Sequence, residues 1–198
     1  MKKSTLVSFA LALAFGAAQA QNPPGPGTST TGVSRNLPQN EKKLPRADRK
    51  FMEHAAESGM FEVQIAQLAN AKAQDPQVKS FAGMLVDQHT AANNELVKIA
   101  NARGVELPPA PRRSLRRDIE KLGKKNGAEF DREFVHQVGI EAHEKDIKLF
   151  EQARKDVKDA ELRAFVDKTL PILRDHLAAA QKLPQAGKNA ATMGANKK

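Results

Sequence analysis

From Ala47 to Leu183 the apolar residues return every three or four positions, and nowhere in that stretch do they alternate with the period of two that a half-buried strand requires. Such a chain can bury its apolar surface only as helices laid side by side. Ala, Leu, Glu, Lys, Gln and Arg dominate it, residues that suit a helix, while Trp and Tyr are absent. Punctuation divides the stretch. A first helix is expected from about Ala47 to Gln74, breaking at Asp75-Pro76, where the aspartate can cap and the proline suits a first helical position. A second runs to Arg103, with Gly104 as its stop. "VELPPAP" reads as a loop, and "RRSLRRDIEKLGKKNG" holds one short helix ended by Gly123 or by Asn126-Gly127. A third long helix covers about Ala128 to Lys155. Asp159 caps a fourth that reaches Leu183, and Pro171 inside it removes one backbone hydrogen bond and should kink it.

Two long hairpins joined by a longer crossover predict an all-α domain over 47–183: a ferritin-like four-helix bundle with a short extra helix in the crossover. The flanks differ in kind. Residues 1–20, "MKKSTLVSFALALAFGAAQA", carry a charged start, a short apolar run and small residues at Ala18 and Ala20, the layout of a secretory signal peptide with cleavage after Ala20. The apolar run is short for a membrane span, so no transmembrane segment is expected after cleavage. Residues 21–46 are rich in Pro, Gly, Ser, Thr and Asn and read as a disordered tether; 184–198 read as a disordered tail. The chain has no cysteine, which excludes disulfides and thiol chemistry. Export to the periplasm or outer-membrane surface is the expected address.

The net charge of +9 is unevenly spread. Removal of Lys2 and Lys3 with the signal leaves +7; the tether and the tail each hold +3, so the helical domain itself carries only +1. Within it, Arg112, Arg113, Arg116, Arg117, Lys121, Lys124 and Lys125 form a basic patch on the crossover. Leu115, Ile119 and Leu122 give that short helix one apolar face, so docking of the face on the bundle would turn the bases outward. An anionic lipid or lipopolysaccharide surface is the partner this implies; export and the lack of Trp and Tyr argue against nucleic acid. A solvated charged loop is the plainer alternative.

Each long helix also points an ionisable group at its apolar side. Phe81, Leu85, His89, Ala92 and Leu96 share a face. Glu62 lies on the face of Ala55, Ala66 and Ala69. His136, Ile140, His143, Ile147 and Phe150 form a stripe, as do Phe165, Ile172 or Leu173, His176 and Ala180. Glu62, His89, His143 and His176 should therefore meet in the interior. Imidazole and carboxylate suit zinc, iron or copper, so a mononuclear metal site is one reading. A metal-free network of mutually bonded polar groups is the other. Asp87 and Asp175, each within two residues of a histidine, can orient those rings or face solvent. A carboxylate-bridged di-iron centre wants Glu-x-x-His, but Val86 and Leu173 stand three residues before His89 and His176. A faint internal repeat, "VKSFAGMLVDQH" against "LRAFVDKTLPILRDH", indicates two related hairpins.

On the segments "FEVQIAQLANAKAQDPQVKSFAGMLVDQHTAANNEL", "EFDREFVHQVGIEAHEKDIKLF" and "LRAFVDKTLPILRDHLAAAQKL", the chain resembles the exported bacterial family called domain of unknown function 4142. The shared features are Glu62, M-x-x-D-x-H ending at His89, Phe130-Asp131, His143 and T-L-P-x-L-x-x-H ending at His176. The family often has an aspartate beside the third-helix histidine, where this chain has Ala142. The resemblance implies a ferritin-like fold and a periplasmic or outer-membrane address, with no agreed activity. There is no nucleophile elbow and no Gly-rich phosphate loop. The expectation is a non-enzymatic envelope module, with a metal-binding protein as the alternative.

Overall fold

The computed structural model describes residues 44–184; the leader 1–20, most of the tether and nearly all of the tail lie outside the described residues. The described chain is helical throughout, with no strand. Helix α1 spans Arg46–Lys72 and α2 spans Pro76–Ala102. The short α3, Arg113–Gly123, crosses over α1. Then α4 (Gly127–Phe134), a π-helical segment (Val135–Ala142) and α5 (His143–Asp156) follow without a break, and α6 is Ala160–Lys182. This makes five helical rods among the described residues. α6 continues through Pro171.

The short connections force α1 against α2, and α5 against α6, as antiparallel hairpins, and the hairpins meet through α2–α6 and α1–α5. α2 stops where Gly104 takes φ = 62°, a left-handed turn that a side chain would strain. Two apolar clusters fill the interior. One gathers Phe51, Met52, Leu96, Phe150, Leu162 and Phe165; the other gathers Ile65, Phe81, Leu85, Phe130, Phe134 and Val138. α3 seals the second with Leu122, helped by the half-buried Leu115 and Ile119.

A pair of buried aspartates ties the hairpins together. Asp48, in the first turn of α1, accepts the backbone N–H groups of Lys158 (3.1 Å) and Asp159 (2.8 Å) at the α5–α6 turn. Asp131, in α4, accepts those of Gln74 (3.2 Å) and Asp75 (2.8 Å) at the α1–α2 turn. The residue clamped is in each case the helix cap: Asp75 accepts from Gln77 N–H, and Asp159 from those of Glu161 and Leu162. Each hairpin thus holds the other's turn. The local sequences match as well, Asp48-Arg-Lys-Phe with Asp131-Arg-Glu-Phe, and D-P-Q-V-K-S-F from Asp75 with D-A-E-L-R-A-F from Asp159. The faint repeat is thereby extended to the first helix of each hairpin.

The two spans differ by one residue, Asp131 to Asp159 being longer than Asp48 to Asp75. The π-helical segment absorbs the difference, since a π turn accommodates an extra residue with little added length. It also resets the helical phase, which corrects one expectation: His136 does not share His143's buried face but lies half-exposed, 3.4 Å from Glu141. Gly139 makes the segment's close approach possible, because a Cβ there would stand 2.7 Å from the Cβ of Ala180 on α6.

Replacing either clamp removes acceptors from two partly buried N–H groups. Asp48→Ala and Asp131→Ala should each cost on the order of 2–3 kcal/mol. The two losses should add, since the clamps serve different turns. Urea unfolding of both single variants and the double variant checks this; a double variant no worse than one single would contradict it.

Candidate metal centre

Glu62 from α1, His89 from α2, His143 from the start of α5 and His176 from α6 meet between the two apolar clusters, all four buried. Local structure explains each orientation. His143 follows the π-helical segment, whose wider turn puts the carbonyl of residue i−5 where an α-helix would place i−4. His143 Nδ1 is accordingly 2.8 Å from the Val138 carbonyl. His89 Nδ1 is 3.0 Å from Glu62 Oε2. His176 Nε2 is 2.8 Å from the side-chain oxygen of Gln88.

With the Gln88 amide oriented as it stands, these three contacts assign the ring protons. A carbonyl or amide oxygen only accepts, so His143 must donate from Nδ1 and His176 from Nε2; His89 donates from Nδ1 to the free oxygen of Glu62. A neutral imidazole has a single N–H, so the opposite nitrogen of each ring carries a lone pair. Those nitrogens face one another. His143 Nε2 is 3.4 Å from His89 Nε2 and 3.1 Å from His176 Nδ1, and the three ligand atoms all lie within 4.8 Å of one another. Two nitrogens bound at about 2.0–2.1 Å to one tetrahedral zinc stand about 3.3–3.4 Å apart. The two separations from His143 Nε2 are close to that value.

The carboxyl side closes separately. Glu62 Oε1 is buried and finds no ordinary donor. It is 3.5 Å from His143 Nδ1, but that N–H is turned to the nearer Val138 carbonyl. The buried carboxyl of Asp146 lies near enough to act on that of Glu62. Burial, then the charge of Asp146, pushes the Glu62 carboxyl well above the usual range. A proton held by Glu62 would let the two carboxyls sit side by side without two buried charges. Ser58 Oγ completes the chain by donating to Asp146 (2.6 and 2.7 Å to its two oxygens). Asp146 and Ser58 in turn line a cleft of about 510 Å³ between α1, α3 and the continuous rod from α4 to α5. Burial lowers all three imidazoles: His89 well below its ordinary value, with His143 and His176 adding to the effect, His143 to about 4 and His176 to about 3. Neutral rings with available lone pairs are the form a metal needs.

Of the residues expected from sequence, the structure brings together Glu62, His89, His143 and His176, but places Glu62 against outer ring nitrogens and not among the three that converge. Asp87 and Asp175 are exposed and orient nothing, because they lie on the solvent side of α2 and α6. The orienting partners are Gln88, the Val138 carbonyl and Glu62. Asp146 is the missed carboxylate. It stands three residues after His143, a spacing that puts both on one helix face, and it matches Glu62 in the repeat once the π-helical residue is allowed for.

Comparison with known proteins agrees with this picture at the level of fold. The model of the family described as "Domain of unknown function (DUF4142)" matches residues 34–183, and the chain belongs to that family. No curated protein matches the sequence. Among solved structures, a Streptomyces coelicolor protein described as a secreted DUF305 protein superposes with a TM-score of 0.59 at 10% identity, over 68% of this chain and 88% of that one. At that identity the likeness is one of fold.

The metal-free layer should lose stability on both sides of a pH optimum. His143 has its folded pKa depressed from 6.5 to about 4, so its contribution is present above pH 6.5 and lost as pH falls through 4, about 3 kcal/mol in all. His89 and His176 act in the same direction. Glu62 and Asp146, both raised, act oppositely: their contribution is present below the usual carboxylate range and is lost as pH rises through their folded values. In chelator-treated protein, His143→Gln should flatten the acid limb of a stability–pH curve from urea unfolding. An unchanged limb would contradict the assignment.

Proposed function

We propose that this is an exported domain that binds one transition-metal ion through His89 Nε2, His143 Nε2 and His176 Nδ1. One observation carries the reading: every outer ring nitrogen lies against an oxygen, which leaves the lone pairs of the three rings facing inward, His143 Nε2 standing 3.4 Å from His89 Nε2 and 3.1 Å from His176 Nδ1. A cation relieves that repulsion. Glu62 holds His89 in place and stays outside the ligand set, Val138 holds His143, and Gln88 holds His176. A fourth position is left to water or a small ligand, as in open three-histidine sites. Zinc and copper suit an all-imidazole set best, with iron third.

The leader peptide supports export, as does the description of the Streptomyces coelicolor relative in fold as secreted; among the described residues no helix is long and apolar enough to cross a membrane. We place the two hairpins with ferritin-like bundles. What supports this is the antiparallel pairing within each hairpin, the crossover bearing α3, and a polar site built mid-core from facing helices. The position of Asp146 three residues after His143, not before it, and the absence of such carboxylates at Val86 and Leu173 argue for one ion over a bridged pair.

Metal analysis of untagged, exported protein should find about one ion per chain, and His143→Ala should abolish it. Gln88→Leu should weaken affinity about ten- to a hundredfold by freeing the His176 ring to turn its proton inward. Added metal at a hundredfold excess over Kd should raise native stability by about 2.7 kcal/mol. Protein that stays metal-free and melts identically with zinc, copper or chelator would sink the proposal and leave a hydrogen-bonded polar layer.

A further inference from the structure

The bases of the crossover divide sharply by what holds them. Arg112 pairs with Glu57 at 3.1 Å, Lys121 with Asp118 at 3.4 Å and Lys125 with Glu129 at 2.6 Å, while Arg116 donates to the Pro111 carbonyl. The side chains of Arg113, Arg117 and Lys124 have no hydrogen bond or ion pair among the described residues, and all three residues are exposed. Geometry gathers these three. Leu115, Ile119 and Leu122 turn the other side of α3 onto the core, Leu122 being fully buried. At a helical period of 3.6, positions 113, 117 and 124 fall diametrically opposite that face, with Lys124 continuing the right-handed helical conformation just past Gly123.

We infer that Arg113, Arg117 and Lys124 form a docking ridge for an anionic lipid surface. The three bases lie along one convex edge, with about 16 Å of helix rise between the first and the last. They do not converge on a cavity, as a site for a small anion would require; the cleft beside α3 is lined by Arg112, Lys121 and Lys125, the bases already tied to acids. The row carries a net +2, since the exposed Glu120 stands on the same face between Arg117 and Lys124, and such a row on a rigid helix fits an extended plane of opposite charge. The rigidity has a stated source: Leu122 is locked into the core, and the Lys72 ammonium donates to the Gly123 carbonyl at 2.5 Å, fixing the helix end. Nucleic acid fits less well, since single strands are gripped by stacking and Val97 is the sole large hydrophobic side chain exposed among the described residues. The flanking segments 21–46 and 184–198, each carrying +3, have the sign that would reinforce attraction to the same surface. The ridge is independent of the metal proposal, as its residues share no contact with the histidine layer.

The test compares the chain from Gln21 to Lys198 with two triple variants, Arg113→Ser/Arg117→Ser/Lys124→Ser and Arg112→Ser/Lys121→Ser/Lys125→Ser. Each is co-sedimented with phosphatidylcholine vesicles, with and without phosphatidylglycerol, across a salt series, after circular dichroism confirms native helicity. Each free base should contribute about fivefold to partitioning, so the first variant should lose about a hundredfold on anionic vesicles at low salt. The second should lose severalfold at most, since its bases are already partly neutralised. Neutral vesicles should bind neither, and salt should erase the difference. Equal losses in the two variants would overturn the ridge in favour of net charge alone. Negligible pelleting of the native chain with anionic vesicles, or its capture by DNA in their place, would overturn the inference outright.

Discussion

Three hydrogen bonds that point away from one another organise this protein's interior. His89 donates to Glu62, His143 to the Val138 carbonyl and His176 to Gln88. An imidazole has only one proton to place when neutral, and burial keeps all three rings neutral. The outward bonds therefore dictate what remains inside, three lone pairs within ligand distance. A core that merely needed to hide polar groups would turn those protons toward one another. Here the polar layer separates two apolar clusters and has its donors directed to its rim, an arrangement that a cation would suit.

The scaffold holds this layer by reciprocal restraint. Asp48 and Asp131 each reach from the first helix of one hairpin to the turn of the other, so neither hairpin sets its ends alone. The stretch from Asp131 to Asp159 carries one more residue than that from Asp48 to Asp75, and the surplus appears as the π-helical segment directly before His143. That segment makes the Val138 carbonyl available to the His143 ring and, through Gly139, lets the rod close on α6. The repeat also places Glu62 and Asp146 at matching positions, so the two buried carboxyls are a symmetric pair. One of them has become the anchor of a histidine and the other the contact with solvent through Ser58 and the cleft.

Helix positions were legible in the sequence because caps and breakers are local: Asp75, Gly104, Gly123 and Asp159 act within a turn of where they stand. The meeting of Glu62, His89, His143 and His176 was legible because helical period alone assigns a face. What escaped has a common cause. The π-helical phase shift, which removed His136 from the buried stripe, has no marker in "VHQVGIEA" that a regular helix would lack. Gln88 was hidden because a solvent-side residue beside a histidine looks like any exposed polar group until the partner helix is placed. The division of labour between Glu62 and the ring nitrogens depends on angles that no spacing rule contains. Asp146 was within reach, since the spacing that joins His143 to Ile147 and Phe150 also admits it.

The central claim concerns where three protons sit, and nitrogen-15 spectra of histidine-labelled protein read that directly. With one equivalent of zinc at neutral pH, the account predicts N–H on Nδ1 of His89 and His143 and on Nε2 of His176. The three opposite nitrogens should shift together on metal binding, while His54 and His136 stay unchanged. A proton found on His143 Nε2, bonded to a neighbouring histidine and unmoved by zinc, would contradict it.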